Sequence, residues 1–167
     1  MSGYLLDTTA ISVYYNEDHV HYGRIRATID ALPSASLKLV SVVTLGEIEF
    51  GIRLAEQQAA QTLPQMRERL ERIRQHGRLQ ITHHTSEVYA ELRAKLAARV
   101  SIARKARPRW LEEWMDAATG RQLQIDENDL WICAQARERD LTLVTLDGDF
   151  QIFASVDPQV RIQPLAD

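Results

Sequence analysis

Residues 128–150 read NDLWICAQARERDLTLVTLDGDF, and two kinds of element meet inside them. The part from about Asn128 to Arg139 reads as a helix, and Leu141–Leu146 (LTLVTL) reads as a short apolar strand. An acid marks each boundary: Asp129 lies in the first turn of the helix, and Asp147 follows the strand. A helix that feeds an apolar strand is the unit from which parallel sheets are built.

The same alternation runs outward through the chain. Apolar runs at Tyr4–Leu6, Leu37–Ser41, Leu79–Thr82 and Val160–Gln163 read as further strands. Between them, helical spacing is expected over Tyr22–Leu32, Thr44–Glu56, Pro64–Gln75 and Ser86–Arg99. Pro33 closes the first of these, and Pro64 occupies a tolerated first-turn position in the third. The pattern predicts a single α/β domain over residues 1–167 with a mostly parallel sheet.

Two further acids stand at comparable places, Asp7 in YLLDTT after the first strand and Glu47 in SVVTLGEIEFG near a helix start. In an open parallel sheet, ligands gather beyond the carboxyl ends of the strands. Strand ends and helix starts share that rim, so four acids scattered in sequence converge in space. Each acid also has an ordinary reading. Asp7 suits an N-cap, and Thr44-Leu45-Gly46-Glu47 matches a capping box. Asp126-Glu127-Asn128-Asp129 opens a helix, and Asp147-Gly148-Asp149 suits a turn. Glu49 competes with Glu47 but points to another helix face. Crowded carboxylates raise one another's pKa, and a hard divalent cation with oxygen ligands is the common remedy. The four together therefore indicate a metal-dependent phosphodiester enzyme.

Composition restricts the alternatives. The chain has 167 residues, 45% of them hydrophobic and 26% charged, enough for one core. Its start, MSGYLLDTTAIS, has neither a basic leader nor a long apolar run, so a cytoplasmic protein without a membrane span is expected. The single cysteine, Cys133, excludes an internal disulfide and argues against a thiolate metal centre. A net charge of −3 argues against a nucleic-acid partner, but the acidic total includes the four candidate ligands. The cations are nearly all arginine, which matches phosphate geometry; the lysines are Lys38, Lys95 and Lys105.

The stretch Val100–Gln124 fits the alternation poorly. It carries Arg104, Lys105, Arg107 and Arg109 before Trp110, and Pro108 is expected to start a short helix closed near Gly120. Basic residues beside tryptophan are candidate RNA contacts, by phosphate pairing and base stacking. Tryptophans that serve only packing are the other reading. His83 and His84 read as surface or packing residues.

The segments YLLDTTAIS, SVVTLGEIEFGI and NDLWICAQARERDLTLVTLDGDF, in this order and spacing, resemble the PIN-domain family. Within it they are similar to the VapC-type toxins of bacterial toxin–antitoxin pairs. The resemblance spans about residues 4–153 and implies a three-layer α/β/α sandwich. It also implies an endoribonuclease dependent on Mg²⁺ or Mn²⁺, with Asp7, Glu47, Asp129 and Asp147 as the acidic quartet. Thr145, Asp149 and Thr9 would support it. A cognate antitoxin and a homodimer are implied as partners, with Tyr14, Tyr15, Ile48, Phe50 and Ile52 as candidate contact surface. The sequence departs from the family pattern at Thr9, where asparagine is common, at Cys133, where alanine is common, and in the long connection at about 100–124.

Two rivals of similar fold, one an enzyme and one a non-enzymatic module, lack their residues here. A dehalogenase-like phosphatase would want a second acid at Thr9, and a phospho-acceptor receiver would want a lysine after a late strand, where none follows Lys105. A non-catalytic α/β phospho-acceptor or RNA-binding module remains the alternative.

Overall fold

The computed structural model describes residues 3–100 and 108–165. Five strands form one sheet: β1 (Gly3–Leu6), β2 (Leu37–Ser41), β3 (Gly77–Leu79), β4 (Thr142–Thr145) and β5 (Arg161–Pro164). Their order is β3-β2-β1-β4-β5, and every neighbouring pair is parallel. Around them lie α1 (Thr8–Tyr14), α2 (Tyr22–Asp30), α3 (Val42–Gln57), α4 (Leu63–Ile73), α5 (His83–Arg99), α6 (Glu127–Glu138) and α7 (Gln151–Val156).

Alternating strand residues divide the core in two. Leu5 and Leu143 face a cluster containing Leu92 and Leu96 of α5, Leu130 and Cys133 of α6, and Phe153 of α7. Leu6, Val40 and Val144 face the other cluster, with Ile11 of α1, Ile25 and Ile29 of α2, Ile52 of α3 and Ile73 of α4. The result is a three-layer α/β/α sandwich. No helix among the described residues is long and apolar enough to cross a membrane.

Several boundaries differ from those expected. α3 starts at Val42, because Ser41 ends β2 and caps the helix, its Oγ accepting from the Val43 amide at 2.9 Å. The expected capping box at Thr44–Glu47 is therefore absent, and Glu47 lies in the second turn. β3 is earlier than expected, and Thr82 caps α5 through a reciprocal bond with Thr85, which brings exposed His83 and His84 into that helix's first turn. The short helices α1 and α7 were not expected. The expected helix after Pro108 is only a 3-10 turn at Leu111–Glu113.

Described parts of the 100–124 connection fold onto the α5–α6 face. Leu111, Trp114 and Leu123 are buried there, and the Trp114 indole donates to the Pro108 carbonyl at 2.8 Å. Asp116 anchors the following turn through Arg99 at 2.5 Å and through the Ala118 and Thr119 amides at 2.8 Å. Gly120 completes it at φ +66°, a conformation that favours glycine. Arg104, Lys105 and Arg107 lie outside the described residues.

Candidate functional site

β1 is the point at which the strand order reverses: the chain proceeds from it to β2 and β3 on one side, then to β4 and β5 on the other. A crevice beyond the carboxyl ends at such a reversal is the general ligand position of open parallel sheets. Asp7 follows β1 there. Its amide donates to the Val144 carbonyl at 3.1 Å, so it is fixed between β1 and β4. One carboxylate oxygen caps α1 by accepting from the Ala10 amide at 2.6 Å. The other accepts from Thr145 Oγ1 at 2.5 Å, and Thr145 is fully buried at the end of β4. Thr145 Oγ1 in turn accepts from the Asp147 amide at 2.8 Å, which joins the two strand ends.

Glu47 reaches the same rim from α3. Its two oxygens accept from Thr8 Oγ1 and from Asn128 Nδ2, the latter at 2.9 Å. Thr44, buried one turn before Glu47, hydrogen bonds to Thr8 Oγ1 at 3.1 Å. Asp129 is held by the capping box of α6: Asp126 caps the Asn128 and Asp129 amides, and Asp129 Oδ2 accepts from the Asp126 amide at 2.9 Å. Asp147 opens the 3-10 turn Gly148–Phe150 and accepts from the Asp149 amide at 2.8 Å. At Asp7, Asp129 and Asp147 capping and convergence are thus the same arrangement, whereas Glu47 caps nothing.

Electrostatics tie the four together. Burial raises the Asp7 carboxyl to about 6; the Thr145 and Ala10 hydrogen bonds oppose that rise, and the charges of Asp147 and Glu47 add to it. Burial likewise raises Asp129 to about 7, against the Asp126 amide and with the charges of Asp126, Asp147 and Glu47. Among the described residues no Lys, Arg or His pairs with Asp7 or Asp129. Nor do three or more His, Cys, Asp or Glu side chains there form a group able to hold a metal ion as they stand. The oxygens are turned instead to protein donors. In kind, an all-oxygen, cation-poor donor set suits Mg²⁺ or Mn²⁺.

The structure sorts the remaining candidates. Thr9 is exposed, and its neighbour Thr8 makes the contact with Glu47. Asp149 is exposed beside Asp147, and Glu49 is held by Arg74 at 2.5 Å, away from the quartet. Arg109 is exposed, with its guanidinium over the Trp110 ring at 4.8 Å. Cys133 is fully buried, and burial pushes its thiol well up, as suits a small apolar residue. Of the candidate contact surface, Phe50 is 64% exposed, whereas Ile52 belongs to the core. Tyr14 and Tyr15 are half-buried and bonded to Asp30 and His76. Thr8, Thr44 and Asn128 were not among the sequence candidates. Thr8 and Asn128 are signalled only by their adjacency to acids in sequence, and Thr44 only by standing one turn before Glu47.

Fold and site together define a doubly wound α/β domain with an acidic, cation-poor centre at the reversal of its sheet. The sequence matches the PIN domain over residues 4–156, and the chain belongs to the PIN-domain family. No curated protein matches it in sequence. Its fold is similar to VapBC2 of Rickettsia felis, solved with a DNA fragment from its promoter (TM-score 0.67, 18% identity, 97% of this chain and 98% of that one). It is also similar to VapBC-5 of Mycobacterium tuberculosis, a toxin–antitoxin pair (TM-score 0.60, 24% identity, 100% of both chains). A third similar structure is VapC20 of M. tuberculosis, a toxin that cleaves the sarcin–ricin loop (TM-score 0.54, 14% identity, 89% and 93%).

Proposed function

We propose that this protein is a metal-dependent endoribonuclease that hydrolyses RNA phosphodiester bonds, and that it is the toxin of a type II toxin–antitoxin pair. The observation that carries the reading is Asp7, 2% exposed at the sheet reversal with other acids around it and no Lys, Arg or His paired with it among the described residues. The family and the VapC-like fold support it, and VapC20 is a cleaving toxin of similar fold.

Asp7 and Asp129 are the chief candidates to hold Mg²⁺ or Mn²⁺, with Glu47 and Asp147 completing the site directly or through water. A bound divalent ion lowers the pKa of its water and offsets charge building on the phosphate. The chain's own part is orientation. Thr145 and the Ala10 amide fix the Asp7 carboxylate, Thr8 and Asn128 fix Glu47, and the α6 capping box fixes Asp129. No side-chain nucleophile is needed, and buried Cys133 with its raised thiol does not supply one. Phe50, exposed on α3 next to the site, is a candidate contact for the antitoxin or a second copy of the chain.

The test is cleavage of a pool of cellular RNAs with and without Mg²⁺, alongside Asp7→Asn and Asp129→Asn. Cleavage should require the ion and be lost in both variants. Activity that survives chelation and both substitutions would overturn the proposal.

A further inference from the structure

Glu47 and Asp129 sit on different helices, α3 and α6, and those helices touch. Their seam carries a polar bond at each end. At the outer end, Asn128 Nδ2 of α6 donates to Glu47 Oε1 of α3 at 2.9 Å. At the inner end lies Gln135, which is 0% exposed in a helix whose other buried residues, Leu130, Ile132, Cys133, Ala134 and Ala136, are all apolar. Its Oε1 accepts from Ser41 Oγ at 2.5 Å, and its Nε2 donates to the Leu79 carbonyl at 3.1 Å.

Ser41 is where this bond gains its reach. Its hydroxyl donates to Gln135 and accepts from the Val43 amide at 2.9 Å, so it also caps α3. Ser41 and Leu79 are register partners at the carboxyl ends of β2 and β3. One glutamine thus joins two strand ends, the cap of α3 and the body of α6. Ser41 precedes Glu47 by six residues, and Gln135 follows Asp129 by six. That is about 9 Å along either helix, so the bond acts at a distance from the acids and touches none of them.

A glutamine here gains nothing from the hydrophobic effect and must have its hydrogen bonds met. A leucine or methionine would pack at that position without a directional requirement. Directional bonds fix where two helices sit along and around each other, which apolar contact does only loosely. We propose that Gln135, through Ser41, and Asn128 are positioning residues that set the placement of Glu47 relative to Asp129. The inference rests on the metal-nuclease reading and goes beyond it in naming what aligns the two halves of the site.

The test uses the full chain with Gln135→Met, which keeps volume and removes both bonds, and Asn128→Ala. Readouts are the melting temperature, Mn²⁺ affinity by titration without RNA, and kcat and KM on RNA. Asn128→Ala should bind Mn²⁺ about 10-fold more weakly and lose about 10-fold in kcat with little change in KM, as a direct partner of a candidate ligand does. Gln135→Met, acting through the placement of the helices, should shift both in the same direction. Adding Gln135→Met to Glu47→Gln should weaken Mn²⁺ binding no further. If Gln135→Met fails to fold, Ser41→Ala removes the inner bond from the other side, and Ser41→Thr should restore function. A lowered melting temperature with unchanged Mn²⁺ affinity and kcat assigns Gln135 to packing and overturns the inference. Wild-type protein that binds no Mn²⁺ and cleaves no RNA overturns the nuclease reading itself, and this inference with it.

Discussion

Asp7 and Asp157 both have almost no exposed surface, at 2% and 1%, but Asp157 lies much shallower in the fold, and their carboxyls move in opposite directions. Asp157 lies between Lys95 of α5 at 2.8 Å and Arg137 of α6 at 3.4 Å, with the Gln159 amide at 2.9 Å. Burial works to raise its pKa, but the Lys95 hydrogen bond, the Gln159 amide and the two cations outweigh it and hold it below the usual value. At Asp7 the described neighbours are neutral donors and further acids, and the carboxyl rises to about 6. Depth is one difference; the other is that Lys95 and Arg137 stand beside Asp157, whereas no described Lys or Arg pairs with Asp7. Asp157 is a clasp between helices; Asp7, with no described Lys or Arg paired with it, meets the condition that the proposed metal site would need.

Asp7→Asn tests that contrast most severely. RNA cleavage should fall by more than about 100-fold, since the substitution removes a candidate ligand. Stability should move the other way. A carboxyl raised from 3.8 to about 6 stabilises the fold while protonated, fully below pH 4, and loses that contribution as pH rises through about 6. Asparagine mimics the protonated form, so the ion-free variant should be more stable than wild type at pH 8, by on the order of 3 kcal/mol, and equal to it near pH 3.5. Retained activity, or a lower melting temperature at pH 8, would break the comparison.

The same sign governs the wild type. Without divalent ions its stability should fall from pH 5 to pH 8 as Asp7, near 6, and Asp129, near 7, lose their protons. The loss should be roughly 2–3 kcal/mol, with Asp129 discounted for its partial exposure. Mg²⁺ should recover more stability at pH 8 than at pH 5, because binding competes with protons. Denaturant melts at the two pH values with and without Mg²⁺ measure this, and equal Mg²⁺ effects would contradict it.

Asp157→Asn is the mirror experiment. Losing one partner of a buried pair is costly, but Lys95 is 41% exposed, so about 2 kcal/mol is expected rather than the full penalty. That corresponds to about 4–8 °C in Tm. The contribution of Asp157 is present at neutral pH and is lost as pH falls through its lowered pKa, so the defect should shrink in acid. Cleavage per folded molecule should not change. A stable but inactive Asp157 variant would mean that this clasp too belongs to the site.

The unequal legibility of these two aspartates has a physical cause. Asp7, Asp129 and Asp147 could be read because strand ends and helix starts of a parallel sheet share one rim, and a short apolar run marks each strand. Glu47 lies in the second turn of α3 rather than the expected first, and the capping box that was its ordinary reading is replaced by Ser41, which ends β2 and caps α3 at once. Thr8 supplanted Thr9 because α1, too short to give a periodic signal, decides which threonine faces Glu47. Asp157 and Gln135 carried no local signal at all. Lys95 lies 62 residues from Asp157 and Ser41 94 from Gln135, and only the packed fold brings them together.

If solution supplies the countercharge for Asp7, exposed arginines of the chain are available for the phosphates of a substrate. Arg109 is the described candidate, stacked on the exposed Trp110 beside the segment that carries Arg104, Lys105 and Arg107. Such a cation contributes attraction at long range and little to chemistry, so Arg109→Ala should raise KM about 2- to 3-fold and leave kcat unchanged. The slope of log affinity against log salt should fall by about 0.7, the value for one contact with a single strand. Asp7→Asn should do the reverse, lowering kcat with the salt slope intact. An Arg109 variant that lowers kcat, or leaves the slope unchanged, would return this arginine to the packing of its own segment against Trp110. The separation between charge built into the fold and charge drawn from outside would then end at the acidic rim.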